Sequence, residues 1–79
     1  MQATWVNRAG VLCGASAKLR DISDTGVALE VPECIEPFAL LKLKSAKMAI
    51  DGTAVVRYCR FVGARPVIGL ELLARERNN

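Results

Sequence analysis

Apolar and polar residues alternate at period two along most of this chain. Ala17 and Leu19 alternate with Lys18 and Arg20, and Val27, Leu29 and Val31 alternate with Ala28 and Glu30. Ala39, Leu41 and Leu43 alternate with Leu40, Lys42 and Lys44, and Ile68, Leu70 and Leu72 repeat the pattern near the C-terminus. Period-two alternation marks strands with one buried face. Thr4, Trp5 and Val6 add a run of good strand formers. Asn7-Arg8-Ala9-Gly10 then reads as a hairpin turn. A second strand is irregular from Val11 to Ala15, around Gly14, and regular from Ser16 to Ile22. The segment from Met48 to Phe61 has two readings. Asp51-Gly52 between apolar runs is a hairpin signal, whereas glycine inside one long strand marks a bulge or bend. The long strand bent near Gly52 is preferred. Val62 to Pro66 forms the next turn, and Val67 to Leu72 the closing strand. Short strands, tight turns and almost no helix predict an all-β fold, a small six-stranded antiparallel barrel. Its core is expected to hold Leu19, Val27, Leu29, Leu41, Ile68, Leu70 and Leu72.

The most polar break in this pattern is Arg20-Asp21-Ile22-Ser23-Asp24-Thr25-Gly26. Asp21, Ser23 and Asp24 can bind nearby backbone N–H groups, and Gly26 can take positive φ, so the stretch is a competent turn. Pro32-Glu33-Cys34-Ile35-Glu36-Pro37 is a loop between two prolines, and its apolar Cys34 and Ile35 are placed to fold back as a lid on the core.

Asp21-x-Ser23-x-x-Gly26 at a strand–strand junction resembles the second signature of the PilZ domain, the bacterial receptor module for cyclic di-GMP. Val27-Ala28-Leu29-Glu30-Val31-Pro32-Glu33 resembles the family's next strand and exit loop. Gly52-Thr53-Ala54-Val55-Val56-Arg57-Tyr58 resembles its long later strand, and Ile68-Gly69-Leu70-Glu71-Leu72 its closing strand, with Leu where Phe is usual. The resemblance runs from about Ser16 to Leu72. It implies a cytoplasmic signalling module that binds cyclic di-GMP through Asp21, Ser23 and Gly26, flanked by Arg20, and reports to a protein effector. Family members also carry an Arg-x-x-x-Arg motif ahead of the first strand, for phosphate and guanine contacts. Here no two arginines stand at that spacing ahead of Asp21, and Arg8 is alone in the hairpin turn. Either the motif lies upstream in a longer natural protein, or this protein never had it. The site is therefore expected to be weak or incomplete, and the alternative is a degenerate PilZ-like adaptor acting through protein–protein contacts. The family's C-terminal helix would be vestigial over Leu73 to Asn79, a segment too short to stand alone.

Composition narrows the classes. The 79 residues make one domain, residues 1–79, with 52% hydrophobic and 24% charged residues, which argues against disorder. No apolar run approaches the ~20 residues of a membrane helix, and the N-terminus lacks a signal-peptide pattern. The net charge of +3 favours anionic partners. A single-stranded nucleic-acid binder would need several aromatics along a basic groove, and aromatic content is 5%. Trp5, Tyr58 and Phe61 are therefore assigned to the core, and Lys42, Lys44 and Lys47 to a solvated, protective strand face. The chain has no histidine, so the usual general base at neutral pH is missing and an enzyme is not expected. Three widely spaced cysteines cannot make a four-ligand zinc site. Cys13, Cys34 and Cys59 are expected as reduced thiols.

Arginine forks suit phosphates and the O6/N7 edge of guanine. A carboxylate suits guanine's donor edge. That chemistry is why Asp21, Ser23, Gly26 and Arg20 are the candidate ligand-binding residues. Arg57 and Arg60 are possible flanking groups.

Overall fold

The computed structural model describes residues 1–47 and 50–73. It is an all-β structure of seven strands: β1 (Gln2–Val6), β2 (Leu12–Ser16), β3 (Lys18–Ile22), β4 (Gly26–Glu30), β5 (Leu40–Ser45), β6 (Ile50–Val62) and β7 (Arg65–Leu72). They form one antiparallel sheet in the order β2-β1-β5-β6-β7-β4-β3. Among the described residues no helix is long and apolar enough to cross a membrane. The vestigial helix expected over Leu73–Asn79 falls, beyond Leu73, outside the described residues.

Two expectations about this sheet change. The expected second strand is two, broken at Ala17, so the count is seven rather than six. The sheet is also not closed into a barrel, because β2 and β3 form no ladder with each other. It is nevertheless strongly curled. Strands lie ~4.8 Å apart, so a flat sheet would separate β2 from β3 by about 29 Å. One residue, Ala17, joins them, which forces the sheet's two ends together at that corner. Ala17 is buried there, donating from its N–H to the Met1 carbonyl (2.7 Å) and accepting from the Met1 amino group (3.1 Å).

Alternation does the packing. Leu41 and Leu43 of β5, Val56 of β6, Leu29 of β4 and Ile68 of β7 are almost completely enclosed, joined by Ala3, Trp5, Val27 and Leu70. No polar or charged residue is buried with them among the described residues. Leu19 and Leu72 are only half-buried against this core, because they lie toward the ends of their strands. Trp5 is a core residue as expected. Tyr58 and Phe61 are not, at 43% and 63% exposed.

β6 is a single long strand, and the hairpin reading of Asp51-Gly52 fails: Gly52 pairs regularly with Leu43. The irregularity lies five residues later. Val56 faces Leu70 and Tyr58 faces Gly69, leaving Arg57 as the extra residue of a bulge. A second bulge in β3 leaves Arg20 unpaired between Leu19–Leu29 and Asp21–Ala28. Both bulges reset which face the following residues occupy.

The loop after β4 is pinned to β6 in two places. Ile35 is buried, as the lid reading expects, whereas Cys34 is exposed. Cys34 and Cys59 form a disulfide, which corrects the expectation of three reduced thiols; Cys13 alone is free. Their 25-residue separation hid a pairing that the sheet brings to a Cα–Cα distance of 5.9 Å. Farther along, Phe38 N–H donates to Val56 O (2.8 Å), and Val56 N–H donates to Ala39 O (2.9 Å).

Candidate functional site

The Ser23–Gly26 turn closes the β3–β4 hairpin. Ser23 N–H donates to Gly26 O (2.9 Å), and Gly26 N–H donates to the Ser23 hydroxyl (3.2 Å). Asp21 Oδ1 accepts from Ile22 N–H (2.8 Å). The turn chemistry expected of Asp21 and Ser23 is present. Gly26, however, does not use positive φ. Its requirement is space: a β-carbon there would stand 2.8 Å from the Leu70 carbonyl oxygen, which is fixed backbone in the β4–β7 ladder.

The two bulges give this turn its surroundings. In a bulge-free β3, Arg20 would oppose Ala28. The extra residue puts Asp21 there instead. Ala28 opposes Gly69 on β7, and Gly69 opposes Tyr58 on β6. Asp21, Ala28, Gly69 and Tyr58 thus form one row across four strands, spanning three strand spacings or about 14 Å. The two middle residues are small, and the Tyr58 ring lies over Gly69, so the row is low at Ala28, between that ring and Asp21. The result is a hollow of about 220 Å³, lined by Asp21, Ser23, Gly26, Ala28, Arg57 and Tyr58 among others.

Three of the four candidates from sequence, Asp21, Ser23 and Gly26, line this hollow. Arg20 does not; it is exposed at its bulge. Arg57 and Tyr58 line it from the other side. Arg57 was visible in sequence only as a possible flank, and Tyr58 was assigned to the core. The signal for both is the parity change at the β6 bulge, which only the pairing reveals. Arg57 is held by Glu71, whose Oε1 accepts from Nε (2.9 Å) and Nη2 (2.6 Å). Arg60 lies over the Tyr58 ring, 5.5 Å from its centroid, a weak attraction at an exposed site.

Chemically the hollow is open at Ala28, with a carboxylate on one side and, on the other, a guanidinium and the phenol ring that covers Gly69. The open place at Ala28 leaves room for part of a flat ring. Asp21 can take hydrogen bonds from ring N–H groups, and Arg57 can give them to an anion or to ring acceptors. Ligand pockets for whole drug-sized molecules run to about 300–1,000 Å³, so this hollow accommodates one base rather than a dinucleotide. A second hollow of about 420 Å³ lies beneath the β1–β2 turn, lined by Trp5, Arg8, Cys13, Cys34 and Glu36 among others. It is larger, and its guanidinium is paired with the Glu36 carboxylate as Arg57 is with Glu71, but it includes none of the Asp21–Gly26 turn residues. Among the described residues no His, Cys, Asp and Glu cluster could hold a metal ion.

No protein-family model, curated protein or solved structure matches the chain.

Proposed function

We propose that this chain is a PilZ-type regulatory domain that binds cyclic di-GMP weakly, with one guanine seated in the hollow between Asp21 and Tyr58. The observation that carries the reading is the cross-strand row, in which the signature residues Asp21, Ser23 and Gly26 share a hollow with an arginine and an aromatic ring. In this reading Asp21 accepts from the guanine donor edge, and Tyr58 packs beside the ring. Arg57 then supplies one of the charge-assisted contacts that the family's Arg-x-x-x-Arg motif provides. Each such contact contributes about 1.5–3 kcal/mol, and a chain short of two of them loses orders of magnitude in affinity. The domain acts as a binding module rather than an enzyme and passes the ligand signal to a protein effector. Cytoplasmic residence is part of the same reading. The Cys34–Cys59 disulfide runs against it, because cytosolic thiols are kept reduced; in a cytosol the pair would stand as two thiols.

Calorimetric titration of cyclic di-GMP into this chain tests the proposal. The comparison is with a form extended by an Arg-x-x-x-Arg segment ahead of Ala3. Weak binding that the extension strengthens, and that Asp21→Ala or Arg57→Ala then removes, is the expected result. No binding to either folded form would end the receptor reading.

A further inference from the structure

Phe38 occupies a backbone position that the fold would fill better with glycine. Ala39 N–H donates to Glu36 O (3.3 Å), with Pro37 and Phe38 between them, and Phe38 has φ 71°. Proline at the second position and positive φ at the third is the pattern of a type II turn, whose third position calls for Gly or Asn. Phe38 is the one non-glycine with positive φ among the described residues, and it is 76% exposed. A bulky side chain there is a genuine outlier. Exposed as it is, the ring returns little burial energy to the fold. Strain of this kind at the surface points to use by something outside the fold.

The surroundings say what that is. Leu40, two residues on, is 59% exposed and opposes Val55. Val6 and Leu12 oppose each other across β1 and β2, at 58% and 73% exposed. Thr4 opposes Lys42, so two residues further the antiparallel register sets Val6 beside Leu40. An apolar line therefore crosses β2, β1, β5 and β6 and ends near Phe38. The charged residues of β1, β2 and β5 are Lys42 and Lys44, both exposed and on the same outward side as Leu40. Asp51 opposes Lys44 on β6.

We infer that Phe38 and the Leu40–Val6–Leu12 line form a docking surface for an acidic amphipathic segment of another protein. Its apolar side chains would cover the line and Phe38, and its carboxylates would meet Lys42 and Lys44. Charge complementarity points to this occupant, because both charged residues that β1, β2 and β5 bring to this side are cationic. The surface includes none of the residues that line the hollow at Asp21, so the inference stands independently of the ligand reading.

The test begins with stability. Phe38→Gly relieves the positive φ, and glycine's entropy offsets part of the gain. The melting temperature should stay unchanged or rise by about 2–4 °C, and Phe38→Asn should behave alike. A clear fall in both variants would make Phe38 a structural residue and overturn the proposal. The second step selects binders to the full chain from a random-peptide display library. Peptides pairing Asp or Glu with apolar residues should be enriched. Their affinity should drop at least about 30-fold with Phe38→Gly and fall further at high salt or with Lys42→Glu. No enrichment, or binding indifferent to Phe38, overturns the inference. So does Phe38-dependent dimerisation in analytical ultracentrifugation, which would name a second copy. Phe38-dependent sedimentation with vesicles of equal phosphatidylglycerol and phosphatidylcholine would name a lipid surface and overturn it as well.

Discussion

Gly69→Ala tests whether the hollow is built as the strand register implies. A β-carbon at Gly69 would overlap Tyr58 Cε2 and Cζ and stand 2.7 Å from Cδ2. Gly69 does not have positive φ, so the backbone itself tolerates alanine. The conflict is wholly with the ring, which must swing off the sheet. Overpacking of this kind costs about 1–3 kcal/mol, and the ring would also forfeit its contact with Arg60, worth about 0.5–1 kcal/mol at an exposed site. Against this, replacing glycine within a strand gains about 0.5–1 kcal/mol. The net expectation is a loss of about 0.5–3.5 kcal/mol, centred at ~2 kcal/mol, which is roughly 8–16 °C in melting temperature for a domain of this size. With Tyr58→Ala the obstacle is gone, and Gly69→Ala should become stabilising by about 0.5–1 kcal/mol. Urea denaturation of the parent, both single variants and the double variant measures the coupling directly. Equal effects of Gly69→Ala in both backgrounds would refute the ring-over-glycine arrangement, and with it Tyr58 as a wall of the hollow.

Two further outcomes follow from the core and its crosslink. Leu70 is 3% exposed, so Leu70→Ala should cost about 2–5 kcal/mol, a large share of a small domain's stability. A denaturation midpoint equal to the parent's would show that β7 does not face the core. Removing the Cys34–Cys59 bridge by Cys59→Ala should cost about 3.5 kcal/mol, from the loop-entropy relation for a 25-residue separation. Two thiols released by reductant, beyond the one already titratable in the denatured protein, would verify the pairing; three free thiols before reduction would refute it.

The strands themselves were legible from residue order alone. Val27 and Leu29, and Leu41 and Leu43, are buried while the residues between them are less so, because one face of each strand must leave water; β7 departs from this, with Pro66 to Leu70 all buried. The Ser23–Gly26 turn was legible too, since its bonds are local. Alternation assigns a side chain to a face, however, and does not name the strand beside it. The break at Ala17 depends on β2 and β3 lying at opposite ends of the strand order. The bulges at Arg20 and Arg57 appear only when each strand is read against its partner, and they exchange the roles of neighbours. One brings Asp21 rather than Arg20 to the hollow, and the other brings Tyr58 out of the expected core. The Cys34–Cys59 pairing has the same origin, because contacts between residues distant in sequence are set by how the sheet curls. The turn motif was therefore readable in the chain, whereas the groups across from it were decided by tertiary register.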